Sequence, residues 1–110
     1  MFVPRLNFHA ISEGQVKGIA KSLTDELAIL IGCAREHFVL ECVASTYVWD
    51  GQVVLGHPYV EVHCFDRGIE VFDRMVEIIT RHLSHAGCPS VDVAFRLLER
   101  RFYYEDGAHL

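Results

Sequence analysis

Two stretches of the chain carry an apolar residue every three or four positions, and four others alternate residue by residue. From about Glu13 to Ile31 the positions Val16, Ile19, Ala20, Leu23, Leu27, Leu30 and Ile31 form one stripe, which predicts an amphipathic helix. Ser12 and Gln15 have capping-box spacing at its start, and Gly32 falls where a left-handed cap would end it. A second stripe of Phe72, Met75, Val76, Ile79, Leu83 and Ala86 predicts a helix from about Gly68 to Ala86. Asp66 can cap that helix, and Gly87 followed by Pro89 stops it.

The alternating stretches read as strands. In Pro4–His9, Leu6 and Phe8 oppose Arg5, Asn7 and His9. In Phe38–Tyr47, Phe38, Leu40, Cys42 and Ala44 oppose Val39, Glu41, Val43 and Ser45. Tyr59–Phe65 sets Val60, Val62 and Cys64 against Tyr59, Glu61, His63 and Phe65, and Ser90–Leu98 sets Val91, Val93, Phe95 and Leu97 against Asp92, Ala94, Arg96 and Leu98.

The order is therefore strand, helix, strand, repeated once, with halves at about 1–54 and 55–110. PRLNFH at 4–9 matches PYVEVH at 58–63, and YVWDG at 47–51 matches YYEDG at 103–107. One βαβ unit cannot bury its own sheet face, so the halves are expected to pair. The expected fold is one α+β domain, a four-stranded mixed sheet with two helices on one face. The opposite face would carry Arg5, Asn7, His9, Glu41, Glu61, His63 and Arg96 together with Val39, Val43, Tyr59, Phe65 and Leu98. That mixture suits a sheet that packs against copies of itself, and a monomer with scattered exposed apolar residues is the alternative.

Composition narrows the partners. The 110 residues carry a net charge of -5, which argues against nucleic acid and anionic membranes. A hydrophobic content of 51% exceeds what one small core needs and favours self-association. No apolar run approaches a membrane-spanning length, and no secretory signal is expected. Cys33, Cys42, Cys64 and Cys88 form no CxxC pair and read as reduced thiols of a cytoplasmic protein.

PRLNFHA, FVLECV, HPYVEVHCFDRG and the closing YYEDGAHL resemble the tautomerase superfamily, the fold of macrophage migration inhibitory factor and the oxalocrotonate-type tautomerases. Within it they are most similar to a small bacterial branch of uncharacterised proteins. The resemblance spans nearly the whole chain. It implies a homotrimer with inward-facing sheets, a pocket at each subunit boundary, no cofactor, and a first proline that acts as general base in keto–enol isomerisation of a small α-keto or enol acid. Pro4 matches that proline. A free prolyl amine in a partly apolar pocket stays neutral near pH 7 and can move a proton next to a carbonyl. Here Pro4 follows Met1, Phe2 and Val3, so its nitrogen is an amide with no basicity. Phe2 is too large for Met1 to be trimmed. A chain initiated at the Val3 codon would lose its methionine and expose Pro4. Without that, Pro4 reads as a strand-starting proline, as Pro58 does in the second half.

Arg67 follows the third strand and is placed to clamp a substrate carboxylate, or else to pair with Asp66 or Glu70. Phe65 would supply an aromatic pocket wall. Tyr103 and Tyr104 could donate to an enolate oxygen or pack an interface. The resemblance also brings expectations that this chain does not meet. Cys33 stands where macrophage migration inhibitory factor has a substrate-holding lysine, and Asp92 and Ala94 stand in place of a tyrosine and an asparagine. No metal site is expected. His82 and His85 lack patterned companions, although His9 and His63 hold matched positions that a trimer axis would gather. Two functions remain open: an isomerase with Pro4 as base, or a non-catalytic trimer acting as scaffold or small-molecule binder.

Overall fold

Both helices form where their stripes lie, and their ends show why. In the computed structural model, which covers residues 1–110, strand β1 (Arg5–His9) leads into helix α1 (Glu13–Ile31). The Ser12 hydroxyl accepts from the Gln15 backbone N–H at 3.1 Å, and the Gln15 side chain accepts from the Ser12 N–H at 3.0 Å. This reciprocal cap is worth about 1 kcal/mol. Gly32 closes α1 in the left-handed region at φ 69°, and the Cys33 N–H reaches back to the Ala28 carbonyl.

Strand β2 (Val39–Val43) follows a short 3-10 turn at Arg35–His37. Strand β3 (Tyr47–Trp49) and β4 (Gln52–Val54) come next, then β5 (Tyr59–Phe65), α2 (Ile69–His85) and β6 (Asp92–Leu98). The C-terminal stretch ends in β7 (Tyr104–Glu105) and β8 (Ala108–His109). Asp66 does not cap α2 directly. Its carboxylate accepts from the Gly68 N–H at 2.9 Å, so it fixes the turn that enters the helix. At the other end the Cys88 N–H bonds the Leu83 carbonyl and the Gly87 N–H bonds that of Ser84, a Schellman closure around Gly87 at φ 87°.

The main sheet has the order β2-β1-β5-β6. The outer pairs are parallel and the central β1–β5 pair is antiparallel, with Asn7 opposite Glu61 at its middle. Each half is thus a βαβ unit, and the two meet about a pseudo-twofold at that central pair. The register sets Leu6 beside Val62 and Phe8 beside Val60, all fully buried beneath the helices. From above, Leu23 and Leu27 of α1 and Met75, Ile79 and Leu83 of α2 close the same core. Phe72 and Phe95 stack with ring centroids 4.2 Å apart and tie α2 to the edge strand β6. No helix is long and apolar enough to cross a membrane.

The expected strand over Phe38–Tyr47 is too long. The chain leaves the sheet after Val43, and Tyr47 opens a separate hairpin with β4. Asp50 at φ 50° and Gly51 at φ 75° form the turn, and Asp106 and Gly107 repeat it at 51° and 81° between β7 and β8. Two consecutive left-handed residues of this kind make a tight hairpin whose twist matches its strands. The repeated YVWDG and YYEDG segments are therefore two small arms, one per half. The first arm holds Val48, Trp49, Val53 and Leu55 in solvent.

Candidate functional site

Pro4 sits where β1 begins and is fully buried. Its carbonyl accepts from the Val39 N–H at 3.1 Å, and Pro58 does the same for the Asp92 N–H at 3.0 Å. Both prolines open a strand at its entry to a parallel pair, where a missing N–H costs nothing. The structural use of Pro4 is thus duplicated by Pro58. What surrounds Pro4 is not.

Beside Pro4 lies a cavity of about 300 Å³. The chain end before it (Met1 and Val3), the turn after α1 (Gly32, Cys33, Ala34 and His37) and the end of β5 (Cys64, Phe65 and Arg67) line it. Topology explains the convergence: α1 ends, β1 begins and β5 ends at the same rim of the sheet. Pro4, Phe65 and Arg67, three of the residues picked out in the sequence, therefore face one space.

Arg67 makes neither of the ion pairs open to it in sequence. One guanidinium nitrogen donates to the Ile31 carbonyl at 3.1 Å. That carbonyl belongs to the last turn of α1, whose groups lack helical partners and draw a cation. The bond fixes the guanidinium over the cavity rim while its other donors stay open to the cavity and to solvent. Arg67 is the strongest anion-attracting group there. His37, on the 3-10 turn, is the second polar side chain able to donate.

The aromatic wall is layered. Phe65 meets Tyr103 edge to face at 5.8 Å, and the Arg100 guanidinium lies 5.3 Å over the Phe65 ring. Tyr103 thus backs the wall from outside the cavity lining. Tyr104 lies in the β7–β8 arm, its ring 4.3 Å from that of His109, and does not join the cavity in this chain.

The cavity thiols are not nucleophiles at neutral pH. Burial pushes Cys64 up to about 11 despite the pull of Arg67. Burial raises Cys33 as well, again against Arg67. A thiol held protonated is a small apolar surface with a weak donor. His37 and Cys64 had no signal as site residues in the sequence, since one sits on an irregular turn and the other on a core face.

The chain end also shapes the site. Val3 is 5% exposed and belongs to the core, while Phe2 is 60% exposed. The Met1 amine lies 3.1 Å from Glu105 on the C-terminal arm. The Pro4 nitrogen is an amide, without a lone pair for proton transfer.

On the open sheet face His9 and His63 differ despite their matched positions. His9 Nε2 is 2.9 Å from Glu61, whose other oxygen accepts from Arg96 Nε at 3.1 Å. Burial works against the Glu61 charge, but the Arg96 and His9 bonds outweigh it and hold its carboxyl below the usual range. His63 meets the Asn7 amide at 3.4 Å instead. No three His, Cys, Asp or Glu side chains come together as a metal-binding group.

A family model described as a domain of unknown function, DUF1904, matches residues 3–109. The chain belongs to the DUF1904 family. It is 30% identical to a DUF1904 domain of unknown function from Sebaldella termitidis, whose crystal structure superposes with a TM-score of 0.90 over 98% of this chain and 100% of that one. A Vibrio cholerae protein of unknown function is also 30% identical, with a TM-score of 0.86 over 97% of this chain and 87% of that one. The fold extends further. A macrophage migration inhibitory factor-like protein from Entamoeba histolytica matches with a TM-score of 0.71 at 15% identity, covering 97% of this chain and 98% of that one. A fused 4-OT, described as an asymmetric trimer, reaches 0.78 at 11% identity over 96% and 95%. At those identities the likeness is one of fold: this DUF1904 chain has the tautomerase fold. Among curated proteins, none matches the chain.

Proposed function

We propose that the cavity between Pro4 and Arg67 binds a small carboxylate, and that keto–enol isomerisation of such an acid occurs there only when the Pro4 nitrogen is a free amine. The observation that carries this reading is that Pro4 and Arg67 line one cavity, with Phe65 as its apolar wall. Arg67 would hold the carboxylate by two-point hydrogen bonding. His37 would donate to the adjacent carbonyl oxygen. The amine of a chain beginning at Pro4 would take a proton from the neighbouring carbon and return it at another position. Tyr103 supports Phe65 and so the wall. Tyr104 would come into play only at a boundary with another copy.

Self-association is part of the proposal. The open sheet face and the apolar β3–β4 arm, with Trp49 76% and Leu55 98% exposed, support three copies packing sheet to sheet. Four free thiols suit a reducing cytoplasm. Light scattering on the eluting protein reads the assembly directly, and a monomer mass removes the trimer from the account.

The test of chemistry is exchange of the C3 protons of pyruvate for deuterium, followed by NMR. A chain beginning at Pro4 should accelerate exchange, and its Pro4→Ala version should not. The full chain should bind pyruvate without catalysing exchange. Equal exchange by all three proteins leaves the second reading, a non-catalytic scaffold of this fold. Burial of Val3 in the core favours that reading for the chain as it stands.

A further inference from the structure

We propose that Ser22, His82 and Glu26 form a second site, on the helix side of the molecule, that hydrolyses small carboxylic esters. An open groove of about 570 Å³ runs between the helices, lined by Gln15, Gly18, Ser22, His82 and His85, and shares no residue with the Pro4 cavity. On its wall His82 is 9% exposed, wedged between the helices. Its Nε2 lies 2.8 Å from Glu26 Oε1, and its Nδ1 lies 3.5 Å from the Ser22 hydroxyl. Nucleophile, base and orienting carboxylate thus stand in sequence, which is the geometric signature of an activated serine.

Three further features fit the role. Arg81 binds Glu26 through both guanidinium nitrogens, and with the His82 bond this holds the carboxyl ionised, below its usual range. An ionised carboxylate only accepts, so the proton of neutral His82 resides on Nε2. That leaves the Nδ1 lone pair facing Ser22, as a general base requires. The Ser22 hydroxyl also bonds the Ile19 carbonyl at 3.3 Å, and rotation about its Cα–Cβ bond exchanges that acceptor for His82. Finally, Gly18 and Gly14 lie one and two turns before Ser22 on the same face, and a methyl group added to either would meet nothing within 4 Å. The helix gives up roughly 1 kcal/mol at each glycine relative to alanine, and the approach to Ser22 stays open.

The step balances with water alone. Ser22 Oγ adds to the ester carbonyl as its proton passes to His82 Nδ1. The side-chain amide of Gln15, whose other hydrogen is engaged by the Ala86 carbonyl at 3.2 Å, and the His85 ring are the groove donors available to the developing oxyanion. His82 returns the proton to the leaving alkoxide as the C–O bond breaks, leaving an acyl-serine. Water then attacks with its proton on His82, the carboxylic acid departs, and Ser22 regains its hydrogen. Ser22 and His82 are the reacting groups, and Glu26 is a positioning residue.

The test is incubation of the full chain with a fluorophosphonate probe and with p-nitrophenyl acetate, read by intact mass and peptide mapping. One adduct on Ser22 is expected, absent in Ser22→Ala, with aryl-ester turnover lost in parallel. His82→Gln should slow labelling at least about 100-fold. Glu26→Gln should slow labelling, because the imidazole loses the carboxylate that fixes its tautomer, and Glu26→Asp should restore part of the rate. Because buried His82 also joins the helices, Ser22→Cys gives a reading independent of that variant. Its thiol should be alkylated by iodoacetamide at least 10-fold faster than exposed Cys42 in the same molecule. Absence of a Ser22 adduct on folded protein overturns the proposal, and so does a Cys at position 22 that reacts no faster than Cys42.

Discussion

Removing Met1, Phe2 and Val3 sets stability against chemistry at one atom. The cut exposes the Pro4 nitrogen as an amine and strips the cavity of two lining residues. The stability cost follows from burial. Val3 is 5% exposed and packs in the core, so its loss costs about 1.5–3 kcal/mol. The Met1–Glu105 ion pair is largely solvated, with side chains 25% and 47% exposed, and adds at most about 1 kcal/mol. Phe2 is mostly in solvent and adds little. The sum of about 2–4 kcal/mol should lower Tm by roughly 8–20 °C for a domain of this size. The assay pairs calorimetry on both chains with deuterium exchange into pyruvate. Exchange should appear only in the shortened chain and rise with pH as its amine loses the proton, since only the neutral amine is a base. A shortened chain that melts at the same temperature would refute the burial argument. One that folds yet never exceeds buffer exchange would refute the chemistry.

Other substitutions probe single links. In Gly56→Ala the new methyl would meet three ring atoms of Tyr47 at 2.4–2.6 Å, so the ring that anchors the β3–β4 arm must move. The expected cost is about 1–3 kcal/mol, seen together with a shift in emission of Trp49, the one tryptophan, which the arm carries. Ser12→Ala removes the cap of α1 and should lower stability by about 1 kcal/mol in urea unfolding. Cys64 supplies a pH test. Its folded value of about 11 lies above the ordinary thiol value of 9.0, so the native state binds its proton more tightly. Stability should be unaffected by this thiol below about pH 9 and should fall by about 2 kcal/mol as pH rises toward 11. Cys64→Ala should flatten that limb of the curve.

Much of the fold was legible in the residue pattern because each helix has a stripe, a cap and a stop. Ser12, Gln15, Gly32 and Gly87 act as their types and positions predict. Alternation in Tyr59–Phe65 gave the buried face of β5 residue by residue. The first arm was missed because Tyr47 continues the alternation begun at Phe38, and a period of two does not mark where a strand leaves its sheet. The Asp50-Gly51 and Asp106-Gly107 pairs were the available signal, since both turns need left-handed residues. For the candidate site, the family resemblance singled out Pro4, and the place of Arg67 after the third strand singled out that arginine; that both line one cavity with Phe65 is visible only in the fold. The Arg67 bond to Ile31 was not legible either, because the end of α1 and the start of α2 meet only through the topology. Nor was the relay of Ser22, Glu26 and His82. The residues come from opposite halves and fall at no recognisable spacing, and only helix packing brings them together.

The central claim is that the cavity beside Pro4 takes a small carboxylate through Arg67. Calorimetric titration of pyruvate into the full chain and into Arg67→Ala tests it, with the melting temperature of each recorded alongside. A charge-assisted hydrogen bond worth about 1.5–3 kcal/mol predicts saturable binding that weakens roughly 10- to 150-fold in the variant. Binding of equal strength in the two folded proteins, or none in either, would contradict it.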